Sequence, residues 1–189
     1  MRTVMRRKIQ AGFTLVELLI VVIILTVLAA IIVPQFSSAT IDAKEAALDA
    51  NLARVRSAVE LFQAQHNGKY PGSMAASGAT CPGGGKPGTG TAGSSQAFMD
   101  HMLMYSNAEG QTCTIGDGTF KYGPYLRKGI PHDSLTGKGS LVTEIVTTSA
   151  GTPLAPGAAT GGWAYDTLSG QIVMNSNAND TRSKPYYTH

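Results

Sequence analysis

The sequence predicts an α+β fold: a long N-terminal α-helix, one half of membrane length and the other amphipathic, packed on a small antiparallel β-sheet head with long loops. Three observations carry this. A near-continuous apolar run occupies Phe13 to Val33. A single apolar stripe follows, with Ile41, Leu48, Leu52, Val55, Val59 and Phe62 recurring at helical steps. Short aromatic and β-branched segments then alternate with Gly- and Pro-rich stretches, the pattern of strands and loops.

Only Thr14, Glu17 and Thr26 interrupt the apolar run. As a helix it spans roughly 30 Å, about one hydrocarbon core. Its Val, Ile and Leu residues suit a helix there because lipid forces the backbone to bond internally. Arg2, Arg6, Arg7 and Lys8 place four positive charges ahead of it. The positive-inside rule sets that end in the cytoplasm and the residues after about 36 outside. The remainder of the chain carries eleven Lys and Arg against twelve Asp and Glu, so the basic balance belongs to the first twelve residues. A nucleic-acid partner is not expected once they are removed.

Glu17 is the anomaly. A charge at the membrane centre costs about 2.5–3.5 kcal/mol on insertion scales. An ordinary secretory signal would be cut after its apolar stretch at small residues, but here the run is longer and continues into helix pattern. A plain anchor explains the run and leaves Glu17 unexplained, unless the acid lies near the interface and reaches water.

The stretch "KIQAGFTLVELLIVV" resembles the class III leader of type IV pilins and type II secretion pseudopilins. The resemblance implies that a prepilin peptidase cuts after Gly12 and that Phe13 becomes a methylated N-terminus. Glu17 becomes the acid that pairs with a neighbouring subunit's N-terminal amine. A buried charge is tolerated when paired, so Glu17 would act as a register device in assembly. The chain then divides into a leader (residues 1–12), a transmembrane and assembly helix (13–36) and a periplasmic head (37–189) that includes the second half of the long helix. Pro34 lacks an N–H and crowds the preceding turn, predicting a kink or local melting; the family has a proline at this place.

The amphipathic half runs to about His66, with Asn67-Gly68 as its stop. Asp42, Lys44, Glu45, Asp49, Arg54, Arg56 and Glu60 mostly lie off the apolar stripe. "NGKYPGS", closing the helix, resembles the major pseudopilin of type II secretion. Residues 72–94 are Gly-, Ser-, Thr- and Pro-rich and bury too little apolar surface to order themselves. Cys81 lies inside this loop and Cys113 beyond it. They lack the four-ligand spacing of a zinc site. A Cys81–Cys113 disulfide would staple the loop, in an oxidising compartment; two buried free thiols are the alternative.

Ser95 suits an N-cap, with Phe98, Met102 and Tyr105 on the apolar face of a short helix reaching about Ser106 and His101 at its surface. "GTFKYGPYLRKGIP" reads as a strand, a Gly-Pro turn and an extended piece, and its "GPYL" again resembles major pseudopilin-like proteins. Residues 141–147 read as a strand and 148–162 as a second loop. "GWAYDTLSGQIVMNS" reads as a β-hairpin whose Trp163 and Tyr165 pack on the long helix or form a binding platform. It too resembles the pseudopilin C-terminal hairpin.

In the tail, Asn175, Asn177, Asn179 and Asp180 offer oxygens of the kind calcium takes. The major pseudopilin family binds calcium in a C-terminal loop, but one carboxylate here departs from that pattern. An Asn-rich turn is the other reading.

No nucleophile–base pair, metal triad or cofactor loop can be assembled, so an enzyme is not expected. The resemblance implies a structural subunit of a type II secretion pseudopilus in the bacterial inner membrane. Its partners would be further copies of itself in a filament, prepilin peptidase, the membrane, other pseudopilins and the inner-membrane secretion assembly. The alternatives are a type IV pilin serving adhesion, motility or DNA uptake, and a membrane-anchored ligand-binding module.

Overall fold

Helix α1 runs from Leu15 to Gln65, as the apolar run and the stripe require. The computed structural model describes residues 13–189. The chain divides into two units, Met1–Ile41 and Asp42–His189, and α1 contributes to both. In the first unit the α1 side chains from Leu15 to Ile32 are exposed. In the second, Leu48, Leu52, Val55, Val59 and Phe62 are almost wholly buried. Ile41, placed on the same stripe by spacing, remains 41% exposed. Glu45, expected off the stripe, is buried. It lies three residues before Leu48 and therefore on the same face.

Helix α1 stops where the Asn-Gly pair predicts. Asn67 and Gly68 take positive φ (53° and 78°), and Gly68 N–H reaches back to the Gln63 carbonyl at 3.0 Å. This left-handed ending satisfies a terminal carbonyl.

Helix α2 spans Ser95–Leu103 and is capped by Ser94, one residue earlier than the sequence suggests. The Ser94 hydroxyl accepts from Ala97 N–H at 3.1 Å. Strands β1 (Tyr105–Ser106) and β2 (Thr112–Cys113) then pair antiparallel.

The main sheet has the order β3-β4-β5, formed by Ile145–Thr148, Trp163–Asp166 and Ile172–Met174. The hairpin β4–β5 is antiparallel as expected. Strand β3 runs parallel to β4, so the sheet is mixed rather than purely antiparallel. A parallel neighbour needs a long return connection, and the Gly/Pro/Ala loop before Trp163 supplies it.

Two predicted strands shrink. Residues 118–131 contribute only a bridge between Ser106 and Tyr122; Pro124 offers no N–H with which to extend a ladder. The first half of 141–147 is a 3₁₀ turn at Val142–Glu144. There Glu144 Oε2 accepts from Gly139 and Leu141 N–H groups and folds the backbone back.

The core forms where the α1 stripe meets Phe98, Met102, Leu126, Ile130, Ile145, Trp163, Tyr165, Ile172 and Met174. Trp163 and Tyr165 are fully buried, which resolves their role as packing. Trp163 Nε1 donates to the Pro131 carbonyl at 2.8 Å and Tyr165 OH to the Pro71 carbonyl at 2.9 Å. Each polar tip is thus satisfied while the ring is buried.

Candidate assembly site

The first half of α1 presents its apolar residues on every side. None of the window Leu15–Ile32 is buried, and by length and composition it can cross a membrane. In water such a surface would demand cover; lipid, or matching helices from other copies, provides it.

Thr14 and Glu17 begin this helix as a reciprocal cap. Thr14 N–H and its hydroxyl approach Glu17 Oε2 at 3.4 and 3.3 Å, and Glu17 N–H approaches Thr14 Oγ1 at 3.3 Å. This is the capping-box arrangement, and "TLVE" is its sequence signature. The sequence reading singled out Glu17 and missed Thr14, although the spacing was visible. The acid therefore has donors within its own chain.

Phe13 lies immediately before the cap and is 72% exposed. Gly12, the residue expected to precede the cut, lies outside the described residues, as does the rest of the basic head. Helix α1 continues through Pro34. Because proline has no N–H, the Ala30 carbonyl forgoes its usual helical partner there.

In the head, Cys81 and Cys113 form a disulfide with Cα atoms 5.8 Å apart. It closes a 32-residue separation, worth about 3–4 kcal/mol in the chain-entropy picture. The loop it staples is also tied by hydrogen bonds. Thr112 N–H donates to Ala76 O, Gly88 N–H to Thr112 O, and Thr114 N–H to Lys86 O. Asp100 Oδ2 accepts from the N–H groups of Thr89 and Gly90 at 2.8 and 2.9 Å. The expected loosely held loop is thus bound to the β2 edge.

His101, expected at the surface, is fully buried. Gly72 N–H donates to its Nδ1 at 2.8 Å, and Nε2 lies 2.7 Å from the Gly110 carbonyl. The ring therefore carries its proton on Nε2 and is neutral. Burial pushes its pKa down to about 4, and neighbouring His66 pushes the same way. His66, stacked on Phe62 with ring centres 3.8 Å apart, is also lowered, chiefly by burial.

The four candidate calcium residues do not converge as a cation site. Asn175 binds the segment 160–162 through its backbone, and Asn177 Nδ2 donates to Gly157 O. Asn179 pairs with Pro185. Asp180 is buried and already engaged. Its Oδ1 accepts from Arg182 and Lys184 N–H groups at 2.8 and 2.7 Å, and its Oδ2 from Arg182 Nε at 3.2 Å. Two backbone N–H groups and the Arg182 guanidinium occupy the one carboxylate that calcium would need. The residues do not fit the ion. Among the described residues, no cluster of three or more His, Cys, Asp or Glu is placed to hold a metal.

The prokaryotic N-terminal methylation motif matches residues 7–33. The chain is similar to the type IV narrow pilus major component PilA5 of Thermus thermophilus, with 39% identity over 114 residues, 57% of this chain and 87% of that protein. It is also similar to the type II secretion system core protein G of Pseudomonas aeruginosa, with 36% identity over 70 residues, 37% of this chain and 49% of that protein. The chain thus spans about half the length of this second relative. No solved structure matches the chain with statistical significance. Both aligned stretches are longer than the methylation motif, so the likeness reaches beyond the leader and apolar run. An exposed membrane-length helix, a capped acid at its start, an α+β head and a similarity covering most of a pilus subunit converge: the chain belongs to the type IV pilin-like family.

Proposed function

We propose that this chain is the structural subunit of a surface type IV pilus. Prepilin peptidase cuts it after Gly12, Phe13 is methylated, and the apolar half of α1 holds the subunit in the bacterial inner membrane until it joins the fibre. The head faces the periplasm before assembly. The working division is a leader at 1–12, an assembly helix at 13–36 and a head at 37–189. The observation that carries the reading is the Leu15–Ile32 surface, apolar and unburied, which lipid before assembly and neighbouring helices in a fibre would cover. The surface branch replaces the secretion branch expected from sequence, because the pilus relative is matched over 87% of its length and the secretion relative over 49%.

The second reading, a type II secretion pseudopilus working with other pseudopilins and the inner-membrane secretion assembly, rests on the "NGKYPGS" helix stop and the "GPYL" segment, which resemble the major pseudopilin, and on the similarity to the secretion core protein. Deleting the gene separates the two. Loss of surface fibres with normal export of secreted proteins supports the pilus. Retained fibres with blocked export reverse the assignment. A membrane form that stays monomeric when purified would instead favour an anchored ligand-binding module.

A further inference from the structure

The C-terminal segment is fastened to α1 by side chains of α1 itself. Glu45, buried at 6% exposure, directs both carboxylate oxygens at the tail. Oε1 accepts from Thr181 N–H at 2.9 Å and from Tyr186 OH at 3.0 Å, and Oε2 accepts from the Thr181 hydroxyl at 2.7 Å. One helical turn on, Asp49 Oδ1 lies 2.7 Å from His189 Nδ1. Farther along, Arg56 donates to the backbone oxygens of His189 at 2.6 Å and Ile172 at 3.0 Å. The tail's own turn is closed internally by Asp180.

A divalent ion orders a loop by drawing distant oxygens to one centre. Here the centre is an anion instead. Glu45 gathers N–H and O–H donors from two points of the tail, and Asp180 gathers two N–H groups of its own turn. A cation placed at either carboxylate would have to displace these donors. We propose that the segment from Ala178 to His189 is held by a metal-free latch, with Glu45 as its catch, and that its order does not depend on calcium.

The test uses the full processed chain in detergent micelles. The Arg182 side chain is 66% exposed and offers trypsin a target inside the latch; Lys184 is followed by proline and resists cutting. Mass spectrometry of the released C-terminal peptide gives the cleavage rate, which reports the population of the opened tail when reclosing is fast. The rate is expected to be the same, within about twofold, in EGTA and in millimolar calcium, and to rise about tenfold or more in Glu45→Ala, with buried donors left unmatched. Calcium should not restore that variant. Thr181→Val and Tyr186→Phe each remove one donor hydroxyl, and should raise the rate several-fold even if Glu45→Ala fails to accumulate. The latch is overturned if EGTA alone speeds cleavage of the unmutated chain, or if calcium slows it. It is equally overturned if these variants, still melting cooperatively, are cut no faster.

Discussion

Glu17 has a partner before any neighbour arrives. Its bonds to Thr14 give the helix start a cap, worth about 1 kcal/mol. Two substitutions separate this local role from an intersubunit one. Glutamine can fill the same capping position without charge, whereas alanine removes both functions. Under the proposed assembly, Glu17→Ala and Glu17→Gln both enter the membrane and both lose most fibres, as counted by electron microscopy of sheared filaments. Normal fibres from Glu17→Gln would show that the cap, rather than the charge, is what assembly needs.

His101 supplies a second prediction at this scale. Its folded pKa is about 4 against 6.5 for the free side chain. The unfolded chain therefore binds a proton below pH 6.5 that the folded chain refuses until about pH 4. The stabilisation is present above pH 6.5 and is lost as pH falls through that window, amounting to about 3 kcal/mol if His101 acts alone. Burial of His66 adds in the same direction. Chemical denaturation at successive pH values should show the decline, and His101→Gln should flatten it.

At the scale of elements, buried acids gather the backbone of the loops around them. Asp166 accepts from five donors: Thr148 Oγ1, the N–H groups of Ala150, Gly151 and Ser169, and Ser169 Oγ. Burial alone would raise its pKa; these bonds, Ser169's foremost, outweigh it and hold the group at about 2. Asp133 similarly gathers Leu135, Thr136 and Gly162 N–H groups, and Asp100 gathers Thr89 and Gly90. Asp166→Ala is expected to destabilise the head by at least about 3 kcal/mol, since several buried donors lose their acceptor together. A urea melt within about 1 kcal/mol of the unmutated chain would remove Asp166 from this role.

The same residues mark the limit of sequence reading. Periodicity exposed α1, α2 and the β4–β5 hairpin because their contacts repeat at short spacing. It gave no sign that Asp100 would reach back to Gly90, or Glu45 forward to Tyr186, because such pairs have no period. The parallel placement of β3 was hidden for the same reason. Glycine content did report little apolar burial in 72–94, but hydrogen bonds and the disulfide order that loop instead. For the candidate assembly site, the leader drew attention to Phe13 and Glu17, while the Thr14 cap was visible in the spacing "TLVE" and passed over.

For the whole molecule, charge divides along the proposed cut. The full chain carries +3, and Arg2, Arg6, Arg7 and Lys8 account for more than that excess. Cleavage after Gly12 would leave a subunit with formal charge −1 on its side chains, since the remaining eleven bases face twelve acids. On the proposed cut, the basic head would serve orientation in the membrane, and the fibre would be built from subunits that repel only weakly. Isoelectric focusing of membrane extracts should show a basic precursor converting to a species near or below neutrality. Mass spectrometry of that species should find it starting at Phe13 and heavier by one methyl group. A basic, full-length chain in cells with active prepilin peptidase would leave an ordinary anchored domain. A cut beyond about residue 30 would discard α1's apolar half, and with it any means of joining a fibre.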